Sequence, residues 1–106
     1  MRDGALGDGD TSQPREGVIR RVLEIVNKKG LHARASAKFV QTVEKFDAEV
    51  TVTRGGETVG GTSIMGLMML SAATGTEITV EASGKQAADV MDAITELVAS
   101  GFGEED

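Results

Sequence analysis

The sequence predicts an α+β fold in which helices cover one face of an antiparallel sheet. Two short segments, residues 48–54 and 77–82, alternate apolar and polar residues, which is typical of strands with one buried face. Two longer segments, residues 33–46 and 87–98, repeat apolar residues at helical spacing. Strands and helices that are each apolar on one side bury those sides together when the helices pack on one face of the sheet.

The first strand is predicted at about residues 20–26, where β-branched side chains dominate. Residues 27–30 (NKKG) then form a turn, in which Gly30 is available for an unusual backbone angle. A first helix follows over about residues 33–45 because its apolar side chains recur every three or four positions. This helical pattern ends at Asp47.

The strand at residues 48–54 is followed by two glycines, which indicate a tight hairpin. Residues 57–60 therefore return as a short third strand. A short second helix is predicted over residues 63–72, and Thr62 or Ser63 is a suitable N-cap because a hydroxyl oxygen can accept a free backbone N–H.

A fourth strand at residues 77–82 and a third helix over residues 87–98 complete the order β-α-β-β-α-β-α. The spatial order of the strands does not follow from this pattern. Residues 18–100 thus form one domain. Residues 1–17, rich in Gly and Asp, are expected to be a flexible tail, and residues 101–106 an acidic tail that is solvated from residue 104.

Composition excludes several classes of function. The formal net charge of −6 argues against binding to a nucleic-acid backbone, which needs clustered Lys and Arg. There is no cysteine, so disulfides and thiolate metal sites are absent, as expected for a protein of the reducing cytoplasm. The sequence contains no apolar run that could span a bilayer and no secretory signal, so we expect no membrane association.

The candidate functional residue is His32, the single histidine of the chain, which lies where the first helix is predicted to begin. The free N–H groups and the positive end of a helix dipole favour an anion at such a position. Arg34 adds a fork-shaped phosphate donor two residues later. A ring nitrogen beside a phosphate-binding position points to a histidine that carries a phosphoryl group.

Other interpretations of His32 remain open at this point. The ring could cap the helix or have a purely structural role. A metal site is not expected, because the chain offers neither cysteine nor a second histidine. We expect no cofactor.

Two motifs of this sequence resemble motifs that occur in the same order in one known family. Residues 30–34 (GLHAR) resemble the active-site signature of HPr, the histidine-containing phosphocarrier of the bacterial phosphotransferase system, and residues 62–66 (TSIMG) resemble its regulatory-serine segment. The resemblance covers about residues 20–100. It implies an open-faced β-sandwich with four antiparallel strands covered on one face by three helices.

The resemblance also implies a function. His32 would accept a phosphoryl group from phospho-Enzyme I and pass it to an Enzyme IIA domain, in sugar uptake or in a regulatory nitrogen-type relay. The protein would then be a phosphoryl-group carrier rather than an enzyme, with Arg34 contacting the phosphate. A monomer is expected.

The second motif has its own implications. Ser63 would be the target of a regulatory kinase of the HPr kinase/phosphorylase type. Ile64, Met65 and Met68 would face outward as a docking patch for partner proteins. Leu67 and Leu70 would face the core.

Two rival functions are weighed against the carrier. One is a non-catalytic regulatory protein-binding module of α+β type, in which His32 is structural. The other, weaker, is a nucleic-acid-binding domain, which the negative charge and the scarcity of aromatic residues disfavour.

Overall fold

The computed structural model describes residues 17–104. The predicted N-terminal tail therefore lies outside the described residues, except for Gly17, and so do residues 105–106 of the C-terminal tail. In chain order the described elements are strand β1 (Val18–Glu24), helix α1 (Ala33–Val43), strand β2 (Glu49–Arg54), strand β3 (Glu57–Gly60), helix α2 (Ile64–Met69), strand β4 (Glu77–Ser83), helix α3 (Ala87–Ala99) and a 3-10 turn (Gly101–Gly103).

The four strands form one antiparallel sheet in the order β1-β4-β2-β3. Its centre shows why one face is covered: on β4 the side chains of Ile78, Val80 and Ala82 are buried, whereas those between them are half-buried. The α+β class, the element order and the four-stranded open sheet with three helices are confirmed. The strand order, which alternation left undetermined, places β4 between β1 and β2.

The helices close the core over this sheet. Helix α3 packs on β1 and β4, helix α2 packs against β3, and helix α1 contacts the other two helices. The core is mainly aliphatic, as the composition predicts, with two phenylalanines at its centre. Its largest fully buried side chains include Phe39, Phe102, Ile25, Leu67, Ile78, Met91 and Ile94. No helix within residues 17–104 has the length and apolar character that crossing a membrane requires.

The C-terminal segment differs from its expected state. The sequence predicts an acidic tail over residues 101–106 that is solvated from residue 104, but Phe102 is fully buried in the core and the side chain of Glu104 is only 9% exposed. Phe102 adopts a left-handed backbone with φ 59°, which costs a non-glycine residue about 1–3 kcal/mol. Burial of the phenyl ring contributes about 1.5–3 kcal/mol and offsets that strain. The segment is therefore anchored, and the expectation of a solvated side chain is wrong for Glu104.

The turn before α1 is held against the segment that follows α2. Gly30 has φ 64°, and a Cβ placed on it would lie 2.3 Å from the carbonyl oxygen of Ala72. The next N–H, that of Leu31, donates to the same carbonyl at 3.0 Å. A side chain at Gly30 would meet backbone atoms that cannot move away cheaply. This close approach sets where α1 begins.

We expect Gly30→Ala to destabilise the protein far more than Gly75→Ala. Both glycines have positive φ, but a Cβ on Gly75 meets nothing within 4 Å. The Gly75→Ala change should cost about 1–2 kcal/mol, the strain of a left-handed alanine. The Gly30→Ala change should cost at least about 2 kcal/mol more, because it also overpacks a backbone contact.

Urea unfolding of the two variants measures this difference. Equal losses of stability in Gly30→Ala and Gly75→Ala would show that the contact with Ala72 does not constrain the turn.

Candidate functional site

His32 occupies the N-cap position of α1. Its backbone is extended, and its side chain makes no capping hydrogen bond. The first bond of the helix runs from the N–H of Ser36 to the carbonyl of His32 at 2.8 Å. The N–H groups of Ala33, Arg34 and Ala35 precede that bond, so they lie at the positive end of the helix and need another acceptor. The interpretation of His32 as a side-chain cap is not supported, and the position favours an anion beside the ring.

The imidazole of His32 makes one hydrogen bond within residues 17–104. Its Nε2 lies 2.5 Å from Oε2 of Glu104, a residue 72 positions later in the chain. The His32 side chain is 27% exposed and that of Glu104 is 9% exposed. The Nδ1 atom has no hydrogen-bond partner in this part of the chain. The ring is thus fixed at one nitrogen and open at the other.

Asn27 supports the other oxygen of the Glu104 carboxylate. Its Nδ2 donates to Oε1 of Glu104 at 3.1 Å and to the carbonyl of Gly30 at 2.9 Å. The amide is 3% exposed, and its Oδ1 is buried without a partner among the described residues. The carboxylate is therefore held between a fixed amide and the imidazole.

The charge state of Glu104 follows from these contacts. The hydrogen bond from His32 holds the pKa of Glu104 below its ordinary value of 4.5. Burial opposes this shift, while the hydrogen bond from Asn27 and the positive charges of His32 and Lys29 add to it. Glu104 is ionised at neutral pH as a result.

Helix α1 also holds the C-terminal segment in place. The Nζ of Lys38 donates to the carbonyl of Phe102 at 2.6 Å. Lys38 is one of four basic residues that lie near His32 in the sequence, with Lys28, Lys29 and Arg34. In the structure Lys38 therefore holds the segment that carries Glu104. Its charge remains close to the site.

A cavity of about 210 Å³ opens beside the ring. It is lined by Lys29, Leu31, His32 and residues 71–73. Ser71, on its far side, has a left-handed φ of 54°, where α2 has ended. The ring of His32 is therefore one wall of an open cavity large enough for small groups.

Arg34 lies on the exposed first turn of α1. Within residues 17–104 its guanidinium makes no hydrogen bond or ion pair. It is therefore available for an anion that approaches the start of the helix. It lies two residues after His32, and no hydrogen bond joins the two side chains.

Ser63 is the N-cap of α2, as predicted. Its Oγ accepts the N–H of Gly66 at 3.0 Å, and the side chain is exposed. Gly66 itself packs so closely on Val59 that a Cβ there would lie 3.0 Å from the valine Cβ. Ser63 and His32 belong to different helices and share no hydrogen bond.

The residues predicted to form a docking patch are exposed. The exposed fractions are 40% for Ile64, 71% for Met65 and 39% for Met68. Leu67 and Leu70 are buried, as predicted. Met69, 67% exposed, extends the patch and was not predicted.

Sequence reasoning missed Asn27 and Glu104. Asn27 stands in a turn, where an Asn is ordinary, and Glu104 stands in an acidic stretch. One signal could have been used: Phe102 is a single aromatic residue between two glycines beyond the last helix. A phenylalanine at such a place often anchors a segment to the core.

Comparison with known proteins decides the family. The family model PTS-HPr, described as "PTS HPr component phosphorylation site", matches residues 19–100. The chain belongs to the HPr family. The phosphocarrier protein HPr of Neisseria meningitidis is similar to it, with 52% identity over 87 residues that cover 82% of this chain and 98% of that protein. The resemblance inferred from the two motifs is confirmed.

Other HPr-family proteins agree in sequence and fold. The phosphocarrier protein NPr of Shewanella violacea is 40% identical over 86 residues, which cover 81% of this chain and 94% of that protein. A crystal structure of HPr-C-His from Thermoanaerobacter tengcongensis has a TM-score of 0.79 and 39% identity, covering 83% of this chain and 99% of that one. The chain is thus similar to HPr-family proteins over most of its length, in sequence and in fold.

We expect Glu104→Gln to lower the stability of this HPr-family protein in a pH-dependent manner. An acid with a lowered pKa stabilises the fold above its unfolded-state pKa, and that contribution is lost as the pH falls through the lowered value. The stability difference between wild type and Glu104→Gln should therefore be largest at neutral pH and shrink below about pH 4.5.

Urea unfolding at neutral pH and at about pH 3 measures the change. Glu57→Gln, on the exposed β2–β3 hairpin, controls for the loss of one negative charge. A difference between wild type and Glu104→Gln that stays constant over this range would contradict the assignment.

Proposed function

We propose that this protein carries a phosphoryl group on His32, accepting it from phospho-Enzyme I and passing it to an Enzyme IIA domain. The observation that supports this most is the half-open ring: Nε2 faces a carboxylate, and Nδ1 makes no hydrogen bond within residues 17–104. The membership of the HPr family supports the same site, because the family match spans His32.

The chemistry uses groups that the site supplies. A neutral imidazole attacks phosphorus through a ring nitrogen that carries a lone pair. The bond from phosphorus to the donor breaks as the bond to the ring forms. The N–H groups at the start of α1 and the unpaired Arg34 then hold the phosphoryl oxygens, over which charge is spread during transfer. The N-phosphoryl bond is reactive, so the group is passed on.

In this proposal the protein carries a phosphoryl group covalently and is not an enzyme with a substrate of its own. It would act in the cytoplasm as a monomer. Relatives named HPr and NPr both match the chain, so sugar uptake and a regulatory nitrogen-type relay remain the two branches. The choice depends on which Enzyme IIA domain accepts the group.

We expect wild-type protein incubated with Enzyme I and phosphoenolpyruvate to gain an acid-labile, base-stable phosphoryl group, detected by mass spectrometry. His32→Ala should gain none. Arg34→Ala should accept the group at least about tenfold more slowly, because a donor to the developing charge is lost. Lys28→Ala, which removes another exposed cation near His32, should have a much smaller effect.

An unmodified wild-type protein in the presence of a competent Enzyme I would reject the carrier. That result would favour the rival protein-binding module, in which the hydrogen bond between His32 and Glu104 serves only the fold.

Ser63 is proposed as a second, regulatory phosphorylation site for an HPr kinase/phosphorylase. Its hydroxyl is exposed and adjoins the patch formed by Ile64, Met65 and Met68, which we propose as the surface where partner proteins dock. Exposed methionines suit such a surface because their side chains adapt to different partners. A phosphate on Ser63 would add negative charge at the edge of the patch. It would therefore weaken docking without refolding the protein.

We expect a kinase of this type to add an acid-stable phosphate to the wild-type protein but not to Ser63→Ala. The control variant is Ser100→Ala, which should still be phosphorylated because it changes an exposed serine at the end of α3. The phosphorylated protein should accept a phosphoryl group from Enzyme I more slowly than the unmodified one. Stopped reactions analysed by mass spectrometry measure both. An acid-stable phosphate that persists in Ser63→Ala would reject the site.

A further inference from the structure

We propose that the hydroxyl of Ser71 donates a hydrogen bond to the phosphoryl group carried by His32, within the cavity that both residues line. This inference rests on the proposed function of His32. It adds a contact for the phosphoryl oxygens from a second part of the chain, the segment that follows α2.

The backbone of Ser71 is strained without compensation from its own side chain. Ser71 and Phe102 are the two residues other than glycine with a left-handed backbone among residues 17–104, and φ at Ser71 is 54°. The ring of Phe102 is fully buried, whereas Ser71 is exposed. Strained backbones of this kind concentrate at functional sites, where the surrounding structure holds them in place. Packing of the serine side chain therefore does not offset the strain.

The surrounding structure does hold this backbone. Before Ser71, the Nη1 of Arg54 donates to the carbonyl of Leu70 at 3.1 Å. After it, the N–H of Leu31 donates to the carbonyl of Ala72 at 3.0 Å. The left-handed angle thus lies between two anchored neighbours, and a glycine would adopt it with less strain. The fold requires the backbone angle at this position, but it does not require a serine side chain.

The same backbone contact places Ser71 beside His32. The N–H of Leu31 is bonded to the carbonyl of Ala72. His32 directly follows the first of these residues, and Ser71 directly precedes the second. Both line the cavity of about 210 Å³, together with Lys29. A water molecule takes about 30 Å³ in the liquid, so a space of this size can hold a phosphoryl group.

The hydroxyl of Ser71 is available for a ligand. The Oγ atoms of Ser36, Ser63 and Ser100 are each hydrogen-bonded, whereas that of Ser71 has no hydrogen-bond partner within residues 17–104. A hydroxyl can donate one hydrogen bond, and phosphoryl oxygens accept.

The hydroxyl takes part in the transfer without reacting. The lone pair of a ring nitrogen of His32 forms the bond to phosphorus, and the donor leaves with the electron pair of the bond that breaks. Negative charge is spread over the phosphoryl oxygens at this stage. Ser71 keeps its proton and shares it with one of these oxygens in a hydrogen bond, which stabilises the charge. The ammonium group of Lys29 in the same cavity adds a positive charge.

Two other interpretations of this hydroxyl lead to different results. Ser71 could belong to the surface that partner proteins contact, and its loss would then change the concentration needed for half saturation. It could instead take the phosphoryl group from His32, and an acid-stable phosphate would then appear on Ser71.

The test measures phosphoryl acceptance by the full chain from Enzyme I and phosphoenolpyruvate. Ser71→Ala keeps the Cβ and removes the hydroxyl. Its transfer rate at saturating protein should fall about tenfold, as expected when a hydrogen bond to a charged group is lost. Ser71→Gly should be slowed to a similar extent, although it relieves the backbone strain. Ser71→Asn, which tolerates the left-handed angle and keeps an N–H donor, should retain most of the rate.

Thr74→Ala is the matched control, because it removes an exposed hydroxyl from the same segment but outside the cavity. Its rate should equal that of wild type. Urea unfolding gives an independent readout, in which Ser71→Gly should be at least as stable as wild type. A variant that is as stable as wild type but slower is expected when the side chain acts on the phosphoryl group. A purely structural serine would give no loss of rate in Ser71→Gly.

The outcomes separate the two proposals. A Ser71→Ala or Ser71→Gly variant that accepts the group as fast as wild type overturns the role of Ser71. So does a loss confined to the half-saturating concentration, or an acid-stable phosphate on Ser71 after incubation with Enzyme I alone. A wild-type protein that Enzyme I cannot phosphorylate rejects the proposed function, and the role of Ser71 falls with it. Circular dichroism of each variant confirms that the compared proteins are folded.

Discussion

The contact between the Gly30 turn and the carbonyl of Ala72 is the constraint on which the site depends. The turn has no room for a side chain, and the N–H of Leu31 is committed to the same carbonyl. This fixes the entry angle of the chain into α1. His32 follows within two residues, so this contact places its backbone, while the hydrogen bond to Glu104 fixes one nitrogen of its ring. A rigid turn of this kind suits the proposed function, in which the same side chain meets two partner proteins one after the other.

The second constraint comes from the C-terminal segment, which brings a carboxylate to a ring 72 residues earlier. Burial of Phe102 offsets the strain of its left-handed backbone and commits the next residues to the site. The carboxylate is almost buried, yet both of its oxygens accept a hydrogen bond. A buried charge is tolerated when it is paired in this manner. The C-terminal segment therefore meets the start of α1 at the residue proposed to react.

Much of the fold could be predicted because each strand and helix has its own pattern of apolar and polar residues. Alternation located β2 and β4, and the helical repeat located α1 and α3, each within two residues or so of the observed ends. Thr62 or Ser63 was predicted as the N-cap of α2 from its hydroxyl, and in the structure it is Ser63. The strand order could not be predicted, because an alternating strand carries no information about its neighbours.

The site could be predicted only where its residues are neighbours in the chain. His32 and Arg34 belong to one short motif, so sequence reasoning found them together. Asn27 and Glu104 meet His32 only through tertiary packing, and neither residue type is unusual where it stands. The end of β1 shows the same limit: the strand was expected to reach residue 26, but it leaves the sheet at Glu24, and the next N–H pairs with Thr76 instead.

The central claim is that His32 reacts through the nitrogen that Glu104 leaves free. The most direct measurement is a nitrogen-15 and phosphorus-31 NMR spectrum of the protein after phosphorylation by Enzyme I, in which coupling identifies the nitrogen bonded to phosphorus. Our account predicts phosphorus on Nδ1, with a proton retained on Nε2. Phosphorus on Nε2, the atom now hydrogen-bonded to Glu104, would contradict it.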